Sequence, residues 1–345
     1  LKILFLTHRF YPCIGGIETV SALLANAFHN DGHEVHLLTW QEGKIGDEFL
    51  FTVMRRPNLI SLIKEHAWAD VVFENNPCLQ LSWPGMLFKK PFIVALHTWI
   101  SRVDGTIGWK DRVKLKWWLK RAKRVVAVSK AIGKVSWPIA EIIGNPYDAN
   151  LFRRISFIKK TSDFIFLGRL VSDKGVDIAI KAFHKLKTLG VSKIDSDNLS
   201  FTIVGDGPEK ERLSNMALKL GLDKCIHFVG VLQGERLVEC LNRHRFILIP
   251  SVWEEPFGLV ALEGIACGCI PIASDGGGLP DAVGKAGVIF KRGNIDAFFD
   301  VLCKVIHDTD LENQYRNAGE EHLKRFKQDV VAEKYLQVIK GAVNS

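Results

Sequence analysis

Two doubly wound α/β domains are what this sequence predicts, and three observations predict them. Short β-branched runs alternate with helix-length amphipathic segments from end to end. Eleven such strands are more than one open sheet usually carries. A turn-forming stretch, Gly144-Asn145-Pro146-Tyr147-Asp148-Ala149-Asn150, separates the first five from the last six. At 345 residues, 47% hydrophobic and 24% charged, the chain has ample material for two cores and lies far from disordered or collagen-like composition.

In chain order, the apolar runs Ile3–Thr7, Val35–Thr39, Val71–Glu74, Phe92–Leu96 and Val125–Val128 read as strands. Between them Val20–Phe28, Leu59–His66 and Arg112–Ala122 carry helical patterns. After the seam the strands are Phe164–Leu167, Phe201–Val204, His227–Val229, Phe246–Ile249, Ile270–Ala273 and Val288–Phe290. The helices there include Val176–Leu189, Lys210–Leu220, Glu235–Arg243 and Leu259–Cys267. Strand followed by helix, repeated in this way, implies parallel sheets covered on both faces. The expected domains are residues 1–147 and 148–328, with the closing helix in 329–345 joining the first.

The net charge of +8 suits an anionic partner and is unevenly placed. Residues 1–150 hold 19 basic and 13 acidic side chains, +6; residues 151–345 hold 27 and 25, +2. Most of the excess falls in Lys110–Arg124, where Lys114, Lys116, Lys120 and Arg121 are interleaved with Trp109, Trp117 and Trp118. A solvated face over core tryptophans is one reading, and an interfacial helix on anionic lipid is another. No nucleic-acid recognition motif accompanies the segment, so no nucleic-acid partner is expected. No apolar run approaches the roughly 20 residues of a membrane span, and no secretory signal is expected from the opening residues. The seven cysteines follow neither a disulfide framework nor zinc-site spacing, and they read as reduced thiols. Asp195-Ser196-Asp197 and Asp308-Thr309-Asp310 read as solvated loops, and no metal is expected.

Candidate site residues cluster after strand ends, where doubly wound folds bind ligands. Gly15-Gly16 at a helix start lets backbone N–H groups approach a phosphate, though G-x-G-x-x-G is absent. Gly168-Arg169 and Lys174 follow the first strand of the second half, where two cations can hold a diphosphate and stabilise it as a leaving group. His97 ends the Phe92–Leu96 run. In Glu255-Pro256-Phe257-Gly258-Leu259 the turn is expected to begin a helix containing Glu263. On that reading the two carboxylates lie roughly 12 Å apart along the axis. A glycosidase pair needs about 5–9.5 Å, so hydrolysis fits poorly and two hydroxyl-binding acids at the ends of an extended ligand fit better.

Phe10-Tyr11-Pro12 with Gly15-Gly16-Ile17-Glu18, Gly32-His33-Glu34-Val35, Gly168-Arg169 with Lys174-Gly175, and Gly205-Asp206-Gly207-Pro208 occur in order over both halves. With the E-x7-E element Glu255 to Glu263, this series resembles retaining glycosyltransferase family 4. The resemblance implies the GT-B fold, two Rossmann-like domains facing a central cleft, and metal-independent transfer from a GDP- or UDP-sugar with no cofactor. By it, Arg169 and Lys174 bind the diphosphate, Glu255 the transferred sugar and Glu263 the ribose. Gly15, Gly16, Gly168, Pro256, Phe257, Gly258 and Leu259 complete the donor cradle, and His97 lies near the reacting centre. The loop Gly276-Gly277-Gly278-Leu279-Pro280-Asp281 is one residue longer than the family's G-G-x-P-E form and ends in Asp. With the basic segment, the expectation is a cytoplasmic enzyme, peripheral on the inner membrane face, acting on a glycan or lipid-linked acceptor. Transfer to a soluble metabolite, or a regulatory sugar-nucleotide-binding role, stands as the alternative.

Overall fold

Strands buried on both faces dominate the computed structural model, which describes residues 1–13, 15–43, 49–99, 108–189 and 199–344. The N-terminal half runs β1 (Lys2–Thr7), α1 (Gly16–Asn30), β2 (Glu34–Thr39), β3 (Thr52–Arg55), α2 (Leu59–Trp68), β4 (Val71–Asn75) and α3 (Leu79–Ser82). It continues through β5 (Phe92–Leu96), α4 (Trp109–Arg121), β6 (Arg124–Ala127), α5 (Lys130–Ser136) and β7 (Glu141–Ile142). The C-terminal half runs β8 (Ser162–Leu167), α6 (Val176–Thr188), β9 (Phe201–Val204), α7 (Lys210–Lys219), β10 (Ile226–Gly230), α8 (Gly234–Arg243) and β11 (His244–Ile249). There follow α9 (Leu259–Ala266), β12 (Ile270–Ser274), α10 (Leu279–Val283), β13 (Val288–Phe290), α11 (Ile295–His307), α12 (Thr309–Leu323) and α13 (Gln328–Val343).

The chain divides into two compact units, Leu1–Pro146 with Phe326–Ser345, and Tyr147–Arg325. The first holds a seven-stranded sheet of order β3-β2-β1-β4-β5-β6-β7, the second a six-stranded sheet of order β10-β9-β8-β11-β12-β13. Every described strand pairing is parallel. The order reverses between β1 and β4 in one sheet and between β8 and β11 in the other, and ligands bind beyond the carboxyl ends of strands at such points.

Two edge strands, β3 and β7, escape the sequence reading for a physical reason. β3 is Thr-Val-Met-Arg and half-exposed, and β7 is two exposed residues, so neither needs the apolar run that marks a strand covered on both faces. Asp308, read as a loop residue, instead caps α12 by accepting a hydrogen bond from the Leu311 N–H at 2.8 Å. The Asp195–Asp197 pair lies outside the described residues.

Each unit packs its own aromatic core. Phe5, Phe28 and Phe73 meet in the first, and α13 sends Tyr335 into that cluster, edge-on to Phe73 at 5.5 Å. Gln328, at the start of α13, donates to the Leu23 carbonyl at 2.9 Å. The second core is built on Phe164, Phe183, Phe201 and Phe246, with α6 and α11 covering one face of its sheet. All seven cysteines are free thiols.

Tyr335 is fully buried, yet its hydroxyl has no hydrogen-bond partner among the described residues. Tyr335→Phe is therefore expected to leave stability unchanged or raise it, whereas Tyr335→Ala should cost about 3–5 kcal/mol by opening a cavity under α13. Denaturant melts of the two variants check this pair of outcomes.

Candidate active site

Four loops at the carboxyl edge of the second sheet are fastened to one another. The loop after β8 begins at Gly168-Arg169 and ends in a 3-10 turn, Ser172–Lys174. Its Asp173 carbonyl accepts from the Val252 and Trp253 N–H groups at 2.9 and 3.2 Å, tying it to the loop after β11. Leu170 N–H donates to the Asp206 carbonyl at 2.9 Å, adding the loop after β9. The Glu255 carbonyl accepts from Gly278 N–H at 2.7 Å, adding the loop after β12.

The side chains meet at Glu255. Lys174 Nζ lies 2.5 Å from Glu255 Oε1, and Ser251 Oγ donates to the same oxygen at 2.7 Å. The pair is only 22% and 13% exposed, so the carboxylate is held in one orientation, with Oε2 left to accept from a ligand. Arg169, in the same loop as Lys174, is exposed and pairs with no carboxylate among the described residues. Two cations and an oriented carboxylate thus share one edge, a chemistry matched to a diphosphate and a polyhydroxylated group.

The expected helical run from Glu255 is corrected by the structure. Gly258 adopts φ 105°, a left-handed conformation that ends the turn, and α9 starts only at Leu259. The helical rise therefore applies from Leu259 to Glu263 and not from Glu255, so the 12 Å separation does not hold as derived. Pro256, Phe257 and Gly258 form the turn, and Phe257 is buried against the unit's core. Glu263 sits mid-helix, and burial first and the negative charge of Asp148 second raise its carboxyl to about 7.

In the first unit, His97 follows β5 and is buried. Its Nδ1 is 2.9 Å from Asn145 Oδ1, so Nδ1 carries the proton and donates. Nε2 is buried and without a partner among the described residues. Burial pulls the imidazole down to about 4, partly opposed by Asn145, and the ring is neutral at pH 7 with a free acceptor nitrogen. Asn145, which the sequence presents only as part of a turn-forming seam, sets that tautomer. Gly15 precedes α1 with no side-chain cap, and the Glu18 carboxylate lies against it, so this helix start already carries an acid of its own.

The basic helix α4 divides its tryptophans. Lys114, Lys116, Lys120 and Arg121 are exposed and Trp117 is 48% exposed, but Trp118 is 2% exposed. Trp118 thus leaves the expected membrane-facing set: one residue of helix turns it about 100° from Trp117, onto the sheet. Its indole N–H donates to the buried Glu74 carboxylate at 3.1 Å. Trp109 and Val113 are 72% and 59% exposed and align with Trp117 at i, i+4 and i+8. Among the described residues no three His, Cys, Asp or Glu side chains converge as a metal site, and no helix is long and apolar enough to cross a membrane.

Two parallel-sheet Rossmann-like units, with cations and an oriented acid at a switch-point edge, define the GT-B class of glycosyltransferase. Residues 148–322 match the model of glycosyl transferases group 1 and residues 14–136 that of glycosyltransferase family 4, and the chain belongs to this family. Over 188 residues it is 31% identical to a D-inositol 3-phosphate glycosyltransferase of Corynebacterium jeikeium, a match covering 52% of this chain and 44% of the relative. The chain thus spans about half the length of the curated relatives it matches. The fold is similar to that of Anabaena Alr3699/HepE in complex with UDP, with TM-score 0.81, 18% identity and coverage of 99% and 100% of the two chains. It is also similar to WaaG, a glycosyltransferase involved in lipopolysaccharide biosynthesis, with TM-score 0.67, 18% identity and coverage of 98% and 100%.

Gly277 holds φ 62°, and a Cβ there would strike the Glu255 carbonyl oxygen. Gly277→Ala is expected to destabilise the C-terminal unit by about 1–3 kcal/mol, through a left-handed alanine and a displaced Glu255 backbone. Thermal unfolding of this variant beside the neighbouring Asp275→Ala tests whether the effect belongs to that contact.

Proposed function

We propose that this chain is a retaining glycosyltransferase that moves a sugar from a nucleoside diphosphate donor to a lipid-linked or surface-glycan acceptor without a required metal. The observation that carries the reading is the Lys174–Glu255–Ser251 cluster, with Arg169, in no ion pair among the described residues, on the same loop as Lys174. Arg169 and Lys174 offset the charge that develops on the departing diphosphate, as preorganised cations do in a low-dielectric site. Glu255 accepts from hydroxyls of the transferred sugar. Glu263, once ionised, accepts from the ribose hydroxyls. The uncapped N–H groups at the start of α9 complete the phosphate contacts. His97 offers its free Nε2 to a sugar hydroxyl. The anomeric carbon loses its bond to the phosphate oxygen and gains one to the acceptor oxygen on the same face, while the acceptor proton passes to the leaving phosphate. The UDP and UDP-glucose complexes of Alr3699/HepE support a uridine donor, with GDP-sugars as the comparison arm.

The pH dependence follows from Glu263. With its carboxyl raised to about 7, the unliganded site is increasingly protonated below neutrality, and accepting hydrogen bonds from two ribose hydroxyls requires the proton to leave. UDP-glucose affinity is expected to fall about tenfold from pH 8 to pH 6, and Glu263→Gln should bind weakly with no such slope. Thermal-shift titrations with EDTA present measure both. Absence of stabilisation by any UDP- or GDP-sugar would overturn the transferase reading.

The exposed Trp109–Val113–Trp117 stripe, set among lysines and arginines, supports a membrane-surface acceptor. Wild-type protein should float with vesicles containing anionic lipid, and Trp109→Ser with Trp117→Ser should lose most of that binding. No flotation would favour a soluble acceptor, the class suggested by the inositol phosphate glycosyltransferase relative.

A further inference from the structure

The first unit carries a recess remote in the fold from its switch point. It lies at the amino ends of β4 and β5, where Val72 and Phe92 contribute to its lining, whereas His97 and the α1 start follow carboxyl ends. The cavity measures about 420 Å³, within the range of small-molecule sites. Its apolar lining includes Val72, Met86, Phe92 and Trp118, and its cations are Lys89, Lys90, Arg121 and Lys123.

The charge arrangement is the unusual part. Four cations line one cavity, and no aspartate or glutamate is among the described lining residues. None of the four is in an ion pair with a carboxylate among the described residues, and the described partner of Arg121 is the Trp117 ring, 5.0 Å from its guanidinium carbon. Like charges gathered in this way repel, and an anion among them removes that cost. Glu74, behind Trp118, does not supply it: that carboxylate is wholly buried and engaged by the Trp118 indole and the Cys78 N–H.

The lining also selects what carries the anion. Met86 and Phe92, both half-buried, offer carbon surface to a ligand, and the buried Val72 and Trp118 back them, the Trp118 N–H being already donated to Glu74. A small hydrated anion gains nothing from such walls, whereas an anion on an apolar stem gains from both parts. Next in sequence to the lining residues Met86 and Trp118 stand two exposed apolar side chains, Leu87 at 64% and Trp117 at 48%. Arg121 joins the recess to the α4 stripe by lining the one and stacking on the other.

We propose that this cavity binds the phosphate headgroup of an anionic phospholipid, with Lys89, Lys90, Arg121 and Lys123 on the phosphate and Met86 and Phe92 against the glycerol and first methylenes. The lipid as source of the phosphate rests on the membrane-surface reading above. The site itself rests on the cavity.

The test uses monomeric dihexanoyl phosphatidic acid below its micelle concentration, titrated calorimetrically into the full chain, with glycerol 3-phosphate and inorganic phosphate as parallel arms. Saturable binding of the lipid is expected, about tenfold or more tighter than either soluble phosphate. Lys90→Gln with Lys123→Gln should weaken it about 30-fold, the loss of two surface cations, while unfolding as the wild type does. Trp109→Ser with Val113→Ser should leave it within about twofold, because neither residue lines the cavity and neither is in ring contact with a cation that does. The proposal is overturned if the lipid does not saturate, if free phosphate binds as tightly, or if the double lysine variant binds like the wild type. Flotation of the wild type on anionic vesicles without short-chain lipid binding removes the pocket and leaves the membrane reading. The converse result keeps the pocket and removes membrane docking.

Discussion

A partly buried ion pair organises the second unit's ligand edge. Lys174 and Glu255 come from loops 81 residues apart, and each is placed by backbone contacts that do not involve its own side chain. The Asp173 carbonyl draws the Val252–Trp253 segment in, and the Glu255 carbonyl is covered by Gly278 N–H. Ser274 Oγ then donates to the Ser251 carbonyl at 2.7 Å, so the serine that orients Glu255 is itself held from β12. Removing either charge would leave the other partly desolvated and unpaired, a larger penalty than the pair contributes by itself. In the proposed donor complex a diphosphate would take over Lys174, returning a charge-assisted partner to the lysine and leaving Ser251 on the carboxylate.

Two other groups are held in states water would not choose. His97 is kept neutral by burial and in a single tautomer by Asn145, leaving Nε2 unsatisfied. Glu263 is kept near neutrality in its titration by burial and by Asp148. Both arrangements cost stability in the empty protein, and a hydroxyl-rich ligand that supplies the missing hydrogen bonds recovers it. Glu74 repeats the pattern with a structural outcome: raised to about 7 by burial, it is satisfied internally by Trp118, Cys78 and Ser82, and it fixes the base of α4.

Helix α4 shows how one segment serves two ends. Trp118 and Leu119 are buried, while Trp109, Val113 and Trp117 stay in solvent among the cations. Composition alone leaves the tryptophans as either core or interface residues. The helical repeat combined with sheet contact buries Trp118 and leaves Trp109 and Trp117 in solvent, and it brings Arg121 and Lys123 to a recess shared with Lys89 and Lys90.

Long central strands, their order along the chain, the seam near Asn145 and the glycine, cation and acid positions after strand ends are all legible in the sequence. Each is written in a local pattern: apolar runs, turn residues, or an amphipathic period. Edge strands β3 and β7 are not, since an edge needs no buried run. The left-handed Gly258 that delays α9 is invisible for a related reason, because glycine permits that conformation without demanding it. Pairings such as Lys174 with Glu255, His97 with Asn145 and Trp118 with Glu74 link residues 44 to 81 positions apart. By itself the sequence determined which chemical groups the protein owns and which strands carry them. Only the tertiary structure decided which groups are buried, which are partnered and which are left open, because desolvation and hydrogen bonding depend on neighbours that are distant in the chain.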